Sequence, residues 1–433
     1  MAADAITELL AGTWREPETG EAIAVPIKSI VLADSVAGLE ADLVGRLALG
    51  HRFAVVSDSV THAVLGEQVE RAVASLGEVE PIRLPDRSHP DDATAARLRT
   101  ATAGADALIA VGSGTINDLC KYVAAQDGKP YAVFGTAPSM NGYTSSNAAI
   151  TVGGLKKSLP ARTPAGVFLD LGVLAAAPPR MIRSGLGDSL CRPTAQADWL
   201  LSNLLRGTTY CTTPFVLLAE DEPELIDTAA ALVAGDLAAM RRLARTLVLS
   251  GLGMVICGGS YSASQGEHLI SHYVEMMGRD LPESFHGEQI GVATLTTARL
   301  QERLLDAEAP VVRPTVVDVD DIIAHFGAET GAACLEEFRA KALSPADADA
   351  MNDRLSRGWA GIRQSIAAVR RSSVALGRAL AAVGAPTRPS ELGWPAEFYR
   401  TAVRRARQIR NRFTFLDLAG DAGLLDPFAA SEG

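Results

Sequence analysis

The sequence predicts an α/β domain over residues 1–178 followed by an all-α domain over residues 179–433. In the first part, short β-rich runs alternate with amphipathic stretches, which is typical of βαβ units and a largely parallel sheet. After Pro178 and Pro179, alanine-, leucine- and arginine-rich segments of helical period replace the β-rich runs. A chain of 433 residues is also about the right length for two domains.

The elements of the α/β part follow one another at the spacing of βαβ units. The predicted strands are 52–58, 79–85, 105–114, 129–136 and 165–171, and a hairpin over 147–161 is expected to turn at Gly153 and Gly154. The predicted helices between them are 64–77, 89–104 and 116–128. In the second part, residues 232–259 and 354–384 show the clearest helical period.

Composition and charge limit the classes of partner. A formal net charge of −11 argues against nucleic acid and anionic membrane surfaces, since both would repel the protein. Five dispersed cysteines without a CxxC pair indicate reduced thiols rather than a disulfide framework. The first twenty residues do not resemble an export signal, and no apolar run is long enough to span a membrane. We therefore expect a soluble, cytoplasmic protein, and the net charge carries no information on small-molecule substrates.

A glycine turn lies in ALIAVGSGTINDLCK, between a predicted strand and a predicted helix. Gly112 and Gly114 allow a ligand to approach the backbone, and the free N–H groups at the start of the helix favour a phosphate. Thr115 and Asn117 add side-chain donors, while Asp118 is expected either to hold the turn or to bind a ribose. The alternative is that the glycines have a purely steric role. Asp58, at the end of the first strong strand, is expected to contact a ribose or to cap a helix.

A second polar loop, FGTAPSMNGYTSS over residues 134–146, follows the next strand. Its hydroxyl and amide side chains stand at the carboxyl end of a parallel strand, where ligand contacts collect in open α/β sheets. The alternative is a polar loop with capping residues.

Three of the seven histidines fall between residues 266 and 289. His268 and His272 are four residues apart, on one face of a helix, and His286 begins another helical segment. Two imidazoles and a carboxylate suit a catalytic divalent metal, and Asp188 in RSGLGDSLCR is a candidate carboxylate.

Five blocks of sequence carry a resemblance to a known family. GSGTINDLCK, TAPSMNGYTSS, GLGDSLCR, GEHLISHYVE and FHGEQIGV stand in the order and spacing of the iron-containing alcohol dehydrogenase superfamily, which includes the dehydroquinate synthase-like enzymes. They look most like its sn-glycerol-1-phosphate dehydrogenase branch, in particular the bacterial AraM-like proteins. The closing IRNRFTFLDLAGDAGLL is also similar, so the resemblance runs from about Ile27 to Leu425.

The resemblance implies an N-terminal dinucleotide-binding domain and a helical metal-binding domain. It implies that NAD(H) or NADP(H) contacts Asp58, Gly112, Ser113, Gly114, Thr115, Ile116, Asn117, Asp118, Thr136, Ala137, Pro138, Ser139 and Ser145. It implies that Asp188, His268 and His286 ligate one divalent metal, with Zn²⁺ the usual ion and Ni²⁺ or Fe²⁺ open. His272 and Asn141 are then expected near the substrate with Asp188, as catalytic and substrate-binding residues.

Two positions depart from related sequences. More distant dehydrogenases of the superfamily carry a further histidine where this chain has Arg192, so three protein ligands are expected. The branch reads SMDGY where this chain reads SMNGY, which places Asn141 at the position of an acid. An amide keeps the hydrogen-bonding reach of a carboxylate but cannot act as a base.

The implied reaction is reversible hydride transfer between NAD(P)H and dihydroxyacetone phosphate, with the metal as Lewis acid and His272 or a water as proton relay. Three alternatives stay open: a dehydroquinate synthase-type cyclase, a glycerol or alcohol dehydrogenase, and a non-catalytic homologue. A homo-oligomer is expected from the plentiful apolar helical surface.

Two groups of basic residues need an interpretation. Lys156, Lys157 and Arg162 are candidates for the substrate phosphate, although a solvated hairpin explains them as well. The C-terminal arginines are expected to form surface or interdomain ion pairs rather than a nucleic-acid site, and they are Arg404, Arg405, Arg407, Arg410 and Arg412.

Overall fold

The structure, a computed structural model, describes residues 4–153 and 155–433, with the side chains of Leu155 and Lys156 left out. The predicted hairpin turn therefore falls partly outside the described residues, at Gly154. The described strands are β1 Trp14–Arg15, β2 Ala22–Ile23, β3 Ser29–Ala33, β4 Arg52–Ser57, β5 Glu78–Arg83, β6 Ala107–Gly112, β7 Tyr131–Gly135, β8 Asn147–Val152, β9 Leu155–Pro160 and β10 Gly166–Asp170.

A six-stranded parallel sheet has the order β3-β10-β7-β6-β4-β5 and confirms the predicted α/β architecture. Strands β6, β7 and β10 are buried along their whole length, which explains their continuous apolar runs. Strand β3 was not among the predicted strands. It is only five residues long, and it lies at the edge of the sheet with every side chain partly exposed, so its periodicity is weak.

Helices cover most of the remaining chain. Between residues 4 and 256 they are α1 Ala5–Ala11, α2 Glu40–Gly45, α3 Ser59–Thr61, α4 Glu67–Val73, α5 Asp92–Ala101, α6 Gly114–Gln126, α7 Leu171–Ala175, α8 Pro179–Ser189, α9 Arg192–Arg206, α10 Thr213–Val216, α11 Asp221–Asp227, α12 Ala230–Val233 and α13 Leu237–Ile256. The others are α14 Gly266–Met277, α15 His286–Leu305, α16 Val319–Phe326, α17 Ala328–Lys341, α18 Pro345–Val369, α19 Ser373–Ala382, α20 Ala396–Arg405, α21 Phe415–Asp421 and α22 Leu425–Ala430.

Two compact units divide the chain differently from the predicted boundary at residue 178. The first unit comprises residues 1–189 and 213–259, and the second comprises 190–212 and 260–433. Helices α8 and α13 belong to the sheet-containing unit, since α13 packs against α7, α8 and β3. Helical periodicity predicts that a segment is a helix, but it does not identify the core against which the helix packs.

The loop that follows β7 is packed between α8 and α13 of the first unit. A Cβ atom at Gly185 of α8 would stand 1.6 Å from the carbonyl oxygen of Pro138, and one at Gly251 of α13 would stand 2.1 Å from Oγ1 of Thr144. Thr144 Oγ1 in turn donates a hydrogen bond of 2.7 Å to the carbonyl of Val248. Glycines at these two helix positions therefore let the helices contact the loop backbone directly.

The buried Lys121 of α6 holds the same loop from the other side. Its ammonium donates to the carbonyls of Gly142 and Asn147 and to Oγ of Ser145. Burial lowers the pKa of Lys121, and the nearby Asp118 carboxylate opposes that shift. The lysine therefore satisfies backbone oxygens that the folded loop removes from water.

Paired helices build the second unit. Ser271 of α14 donates 2.8 Å to Oε1 of Gln289 on α15. In the core, Lys341 forms a buried ion pair of 2.8 Å with Asp417 of α21. Neither unit contains, among the described residues, a helix long and apolar enough to cross a membrane.

Replacing Lys121 with methionine should destabilise the first unit. The Gly142 and Asn147 carbonyls would lose their charged lysine donor and keep only the bonds from Ser145 and Asn117, at a total cost of about 1 to 3 kcal/mol. Urea denaturation followed by intrinsic fluorescence measures the change in unfolding midpoint. The matched control is Arg46→Met, which removes an exposed pair with Asp42 and should leave the midpoint unchanged. An equal effect of the two substitutions would contradict the role given to Lys121.

Candidate functional site

The parallel sheet of the first unit changes its winding direction at β4. The chain passes from β4 to β5 on one side and then returns to β6 on the other side of β4. Ligands of open α/β sheets bind beyond the carboxyl ends of the strands at such a switch point. Asp58, which follows β4, and Gly112, which ends β6, stand at these carboxyl ends. Both are residues that the sequence predicts for the dinucleotide.

The glycine turn joins β6 to α6 in a single step. Ser113 is the N-cap residue of α6, but its side chain makes no capping hydrogen bond, so the first N–H groups of the helix carry no side-chain cap. A Cβ atom at Gly112 would stand 2.6 Å from the side chain of Ile116, whereas one at Gly114 would meet only Met140, at an ordinary 3.4 Å. Packing therefore explains Gly112, whereas the contacts around Gly114 do not require a glycine there, and its contact with the dinucleotide stays a prediction.

Three of the predicted dinucleotide contacts have structural partners. Oδ2 of Asp118 accepts from the N–H of Ala149 at 3.1 Å, which ties α6 to β8. Oγ of Ser145 accepts from Lys121 at 3.0 Å. Oδ1 of Asp58 accepts from the N–H of Thr61 at 2.7 Å and caps α3. The structure shows Asp118 joining α6 to the hairpin, and its contact with a ribose stays a prediction.

The first residues after β7 run beside the glycine turn. The N–H of Thr136 donates to the carbonyl of Gly112 at 3.2 Å. The carbonyl of Ala137 accepts from the hydroxyl of Tyr143 at 2.7 Å, and the carbonyl of Ser139 accepts from Ser184 of α8 at 3.1 Å. The segment from Thr136 through Pro138 to Ser139 is thus held beside β6 by its backbone.

Asp188 and Asn141 meet in the first unit. The backbone N–H of Asn141 donates to Oδ2 of Asp188 at 2.9 Å, and the amide of Asn141 donates to Oγ of Ser250 at 3.2 Å. Asp188 is fully buried in the last turn of α8. The structure therefore brings together the predicted carboxylate ligand and the residue that replaces the expected acid.

The three histidines cluster in the second unit. His268 and His272 lie one turn apart on α14, and His286 is the first residue of α15. The ring centroid of His268 is 6.0 Å from that of His272 and 5.3 Å from that of His286. Ligand nitrogens of His268 and His286 come within 4.8 Å of each other. The predicted pair of imidazole ligands is therefore adjacent in the fold.

Carboxylates orient these rings. Nδ1 of His268 lies 2.9 Å from Oε1 of Glu267, and Nδ1 of His272 lies 3.2 Å from Oε2 of Glu275. The other oxygen of Glu275 is 3.9 Å from Nδ1 of His286. Since an ionised carboxylate only accepts, Glu267 and Glu275 fix the proton of His268 and of His272 on Nδ1 and leave the lone pair on Nε2. The separation of 3.9 Å at His286 is an electrostatic contact rather than a hydrogen bond.

Burial shifts the pKa values of these groups. It lowers the pKa of His272 to about 3, with the positive charge of Arg410 as the next cause. It raises the pKa of Glu267 to about 7, against the hydrogen bond that the N–H of Gln265 donates to this carboxylate. His272 is therefore neutral near pH 7, and the same shift makes its Nε2 a weak proton acceptor.

A second group of potential metal ligands shares His268 with the histidine cluster. It consists of Cys191, Glu267 and His268. Glu267 already accepts from the N–H of Gln265 at 2.8 Å and pairs with Nδ1 of His268. Cys191 donates to the carbonyl of Ala263 at 3.7 Å. These bonds suit orienting residues better than metal ligands.

Sequence reasoning did not assign roles to Glu267, Glu275 or Ser250. Acidic residues next to or one turn from a histidine, as in GEHLISHYVE, are the signal that identifies the first two. The predicted phosphate cation Arg162 lies elsewhere, because it donates to the carbonyl of Gly128 before β7, at the amino ends of the strands. Lys157 pairs across the hairpin with Ile150, and the side chain of Lys156 lies outside the described residues.

Known proteins resemble this chain along most of its length. Residues 31–178 match the model of the iron-containing alcohol dehydrogenase family. The chain is 28% identical to the glycerol-1-phosphate dehydrogenase (NAD(P)+) of Bacillus licheniformis over 422 residues, which cover 96% of this chain and 92% of that protein. It is 30% identical to the enzyme of the same name from Geobacillus stearothermophilus over 408 residues, which cover 90% and 92%.

Solved structures share the fold. A probable glycerol dehydrogenase from Sinorhizobium meliloti 1021 has a TM-score of 0.61 and 20% identity, and the match covers 94% of this chain and 98% of that one. Identity this low bears on the fold alone.

At pH 8, above the pKa of about 7 of Glu267, replacing Glu267 with glutamine should weaken metal binding at His268, because the ring would lose the charge that fixes its tautomer. Loss of such an orienting group costs about 10- to 100-fold in affinity. Competition with a chromophoric zinc chelator measures the change. Glu302→Gln, at the far end of α15 where the carboxylate binds Ser373, serves as the control and should retain the affinity. Unchanged zinc affinity in the Glu267 variant would contradict the orienting role.

Proposed function

The chain belongs to the glycerol-1-phosphate dehydrogenases, within the iron-containing alcohol dehydrogenases, and on this premise we propose that it reversibly reduces dihydroxyacetone phosphate to sn-glycerol 1-phosphate with NADH or NADPH. Similarity to enzymes of that name over about nine-tenths of both chains is the observation that carries the proposal. Asn141 and Asp188 of the first unit and the oriented histidines of the second unit supply side chains suited to this chemistry.

The dinucleotide binds at the carboxyl ends of β4, β6 and β7. The uncapped N–H groups at Gly114 and Thr115 receive the pyrophosphate, supported by the start of the α6 dipole. Asp58 uses Oδ1 in the cap of α3, and its other oxygen serves the ribose. Bound nicotinamide supplies or accepts the hydride.

Asp188, His268 and His286 hold one divalent metal, Zn²⁺ in the first instance, with Ni²⁺ or Fe²⁺ as alternatives. The donor set fits such an ion: Asp188 is a fully buried carboxylate, and the imidazoles have Nδ1 directed at carboxylates. When bound, the metal acts as a Lewis acid on the C2 oxygen of the substrate. Glu267 and Glu275 keep the rings in place.

His272 moves the proton. Its Nε2 accepts a proton from a substrate hydroxyl or a water, while Glu275 stabilises the imidazolium that results. Asn141 orients a substrate hydroxyl through its side-chain oxygen Oδ1, which can accept a hydrogen bond. Its side-chain N–H is directed at Ser250, and its backbone N–H is directed at Asp188. The lowered pKa keeps His272 neutral near pH 7 and makes it a weak base, so proton uptake at Nε2 depends on the stabilisation that Glu275 gives the imidazolium.

The protein works as a cytoplasmic homo-oligomer on a phosphorylated triose or polyol. None of the five cysteines, all of which lie in the described part of the chain, forms a disulfide, which supports a reducing compartment.

Wild-type protein loaded with zinc, nickel or iron should oxidise NADH or NADPH when dihydroxyacetone phosphate is added, and chiral analysis should identify sn-glycerol 1-phosphate. The absorbance of reduced nicotinamide reports the reaction. A cyclase of the dehydroquinate synthase type would show no net nicotinamide turnover, and preference for unphosphorylated substrate would indicate a glycerol or alcohol dehydrogenase. His268→Ala should lose bound metal and activity together, whereas the exposed His89→Ala should keep both. Activity of the His268 variant without metal would refute the ligand assignment.

Substitution at position 141 separates orientation from proton transfer. Asn141→Ala should lower kcat/KM about 10- to 100-fold, the cost of one hydrogen bond to a polar substrate group in a buried site. Asn141→Asp should stay within about fivefold of the wild type, because an aspartate preserves the reach of the side chain. Steady-state kinetics at neutral pH give both values. A large increase in kcat for the aspartate variant would show that the missing carboxylate takes part in proton transfer.

A further inference from the structure

Most arginines of the C-terminal arginine cluster form ion pairs or hydrogen bonds within the second unit. The cluster comprises Arg404, Arg405, Arg407, Arg410 and Arg412. Arg404 binds Glu397 at 2.7 Å, and Arg405 binds Asp321 at 2.9 Å. Arg407 is shared between Asp417 and Asp421. Arg412 donates to the carbonyls of Ser260 and Ser264 and lies 4.9 Å from the ring centre of Tyr261.

Arg410 differs from the other four. Among the described residues, its guanidinium has neither a hydrogen bond nor an ion pair, although the side chain is partly buried. The next residue, Asn411, fixes the backbone here by donating to Oε2 of Glu337 at 2.9 Å. A guanidinium held in place by its backbone, withdrawn from water and not neutralised by a short contact is electrostatically costly. The guanidinium of Arg410 is therefore suited to bind an anion from solution, which would neutralise its charge.

The position of Arg410 points towards the histidine cluster. The turn at 406–408 that precedes it packs against α14, the helix of His268 and His272. Arg410 also acts directly on His272: after burial, its charge is the largest cause that lowers the pKa of this histidine. Glu275, which orients His272, and Glu337 are the acids that act on Arg410 in return. The cation and the proposed proton acceptor therefore share one environment.

We propose that the guanidinium of Arg410 binds the phosphate group of the substrate beside His272, a proposal that rests on the proposed reaction of a phosphorylated triose. A guanidinium presents two parallel N–H groups that match two phosphate oxygens, which a lysine ammonium cannot do. Arg412, whose N–H groups are directed at Ser260 and Ser264, adds positive potential without competing for the ligand. The predicted alternative Arg162 already donates to the Gly128 carbonyl at the amino ends of the strands, in the other unit.

This assignment gives Arg410 and His272 different roles in the proposed reaction. Arg410 supplies the charge that selects a phosphorylated substrate, and the neutral His272 handles the proton. It follows that loss of Arg410 should damage binding of the phosphorylated substrate and spare an unphosphorylated analogue that keeps the same reacting carbon atoms.

The experiment compares Arg410→Gln, Arg410→Lys and the control Arg404→Gln in the metal-loaded enzyme. With dihydroxyacetone phosphate, Arg410→Gln should raise KM about 10- to 100-fold, the effect of losing hydrogen bonds to a charged group. With unphosphorylated dihydroxyacetone, kcat/KM should stay within about threefold of the wild type. Arg410→Lys should give an intermediate KM, and Arg404→Gln should match the wild type on both substrates.

A second readout separates this proposal from the proposed function. Isothermal titration of the metal-loaded enzyme with inorganic phosphate should show binding to the wild type and to Arg404→Gln, and a loss of at least tenfold in affinity for Arg410→Gln. If the wild type fails to turn over dihydroxyacetone phosphate, the proposed reaction is wrong, while the phosphate titration still tests Arg410. Equal losses on both substrates, or phosphate binding that Arg410→Gln leaves unchanged, would overturn the phosphate assignment.

Discussion

The loop after β7 has to bury its polar backbone against two helices, and the candidate site in the first unit depends on how that backbone is satisfied. Lys121 supplies donors to the carbonyls of Gly142 and Asn147, and Asp188 accepts from the N–H of Asn141. Small residues on α8 and α13 permit the contact. Because each buried polar group needs a partner, the loop has little freedom to move. The Asp188 carboxylate and the Asn141 amide are consequently held in a fixed relation before any ligand binds.

The second unit fixes its functional groups by charge rather than by backbone contact. Each of His268 and His272 has a glutamate at Nδ1, and Glu275 reaches both His272 and His286. Glutamates so deeply buried need compensation, which Glu267 obtains from the N–H of Gln265 and from the charge of Arg412. The arginines near α14 thus serve two purposes. The other four arginines of the C-terminal cluster neutralise acids or bind carbonyls, and Arg410 is the one to which we assign the substrate phosphate.

The sequence predicts those elements whose pattern of apolar residues or motif spacing is set within a short segment of the chain. Strands β4, β6, β7 and β10 were predicted because buried parallel strands are continuous apolar runs, and the confirmed family resemblance followed from motifs of fixed spacing. Reasoning of this kind did not identify β3, whose short edge strand has a weak pattern, or the assignment of α13 to the unit of the sheet. The role of Lys121 was also invisible, because its partners lie more than twenty residues away. Contacts that depend on tertiary packing leave little periodic signal.

The amide at position 141 is consistent with its surroundings. Its backbone N–H already binds the Asp188 carboxylate, so a second carboxylate at 141 would add negative charge close to Asp188. The amide instead donates to Ser250 of α13, a bond in which it needs no compensating cation. Asparagine cannot accept a proton as a carboxylate does, so in the proposed reaction this step needs a group outside the loop. We assign it to His272, whose imidazolium Glu275 would stabilise, and we assign orientation of the substrate to Asn141.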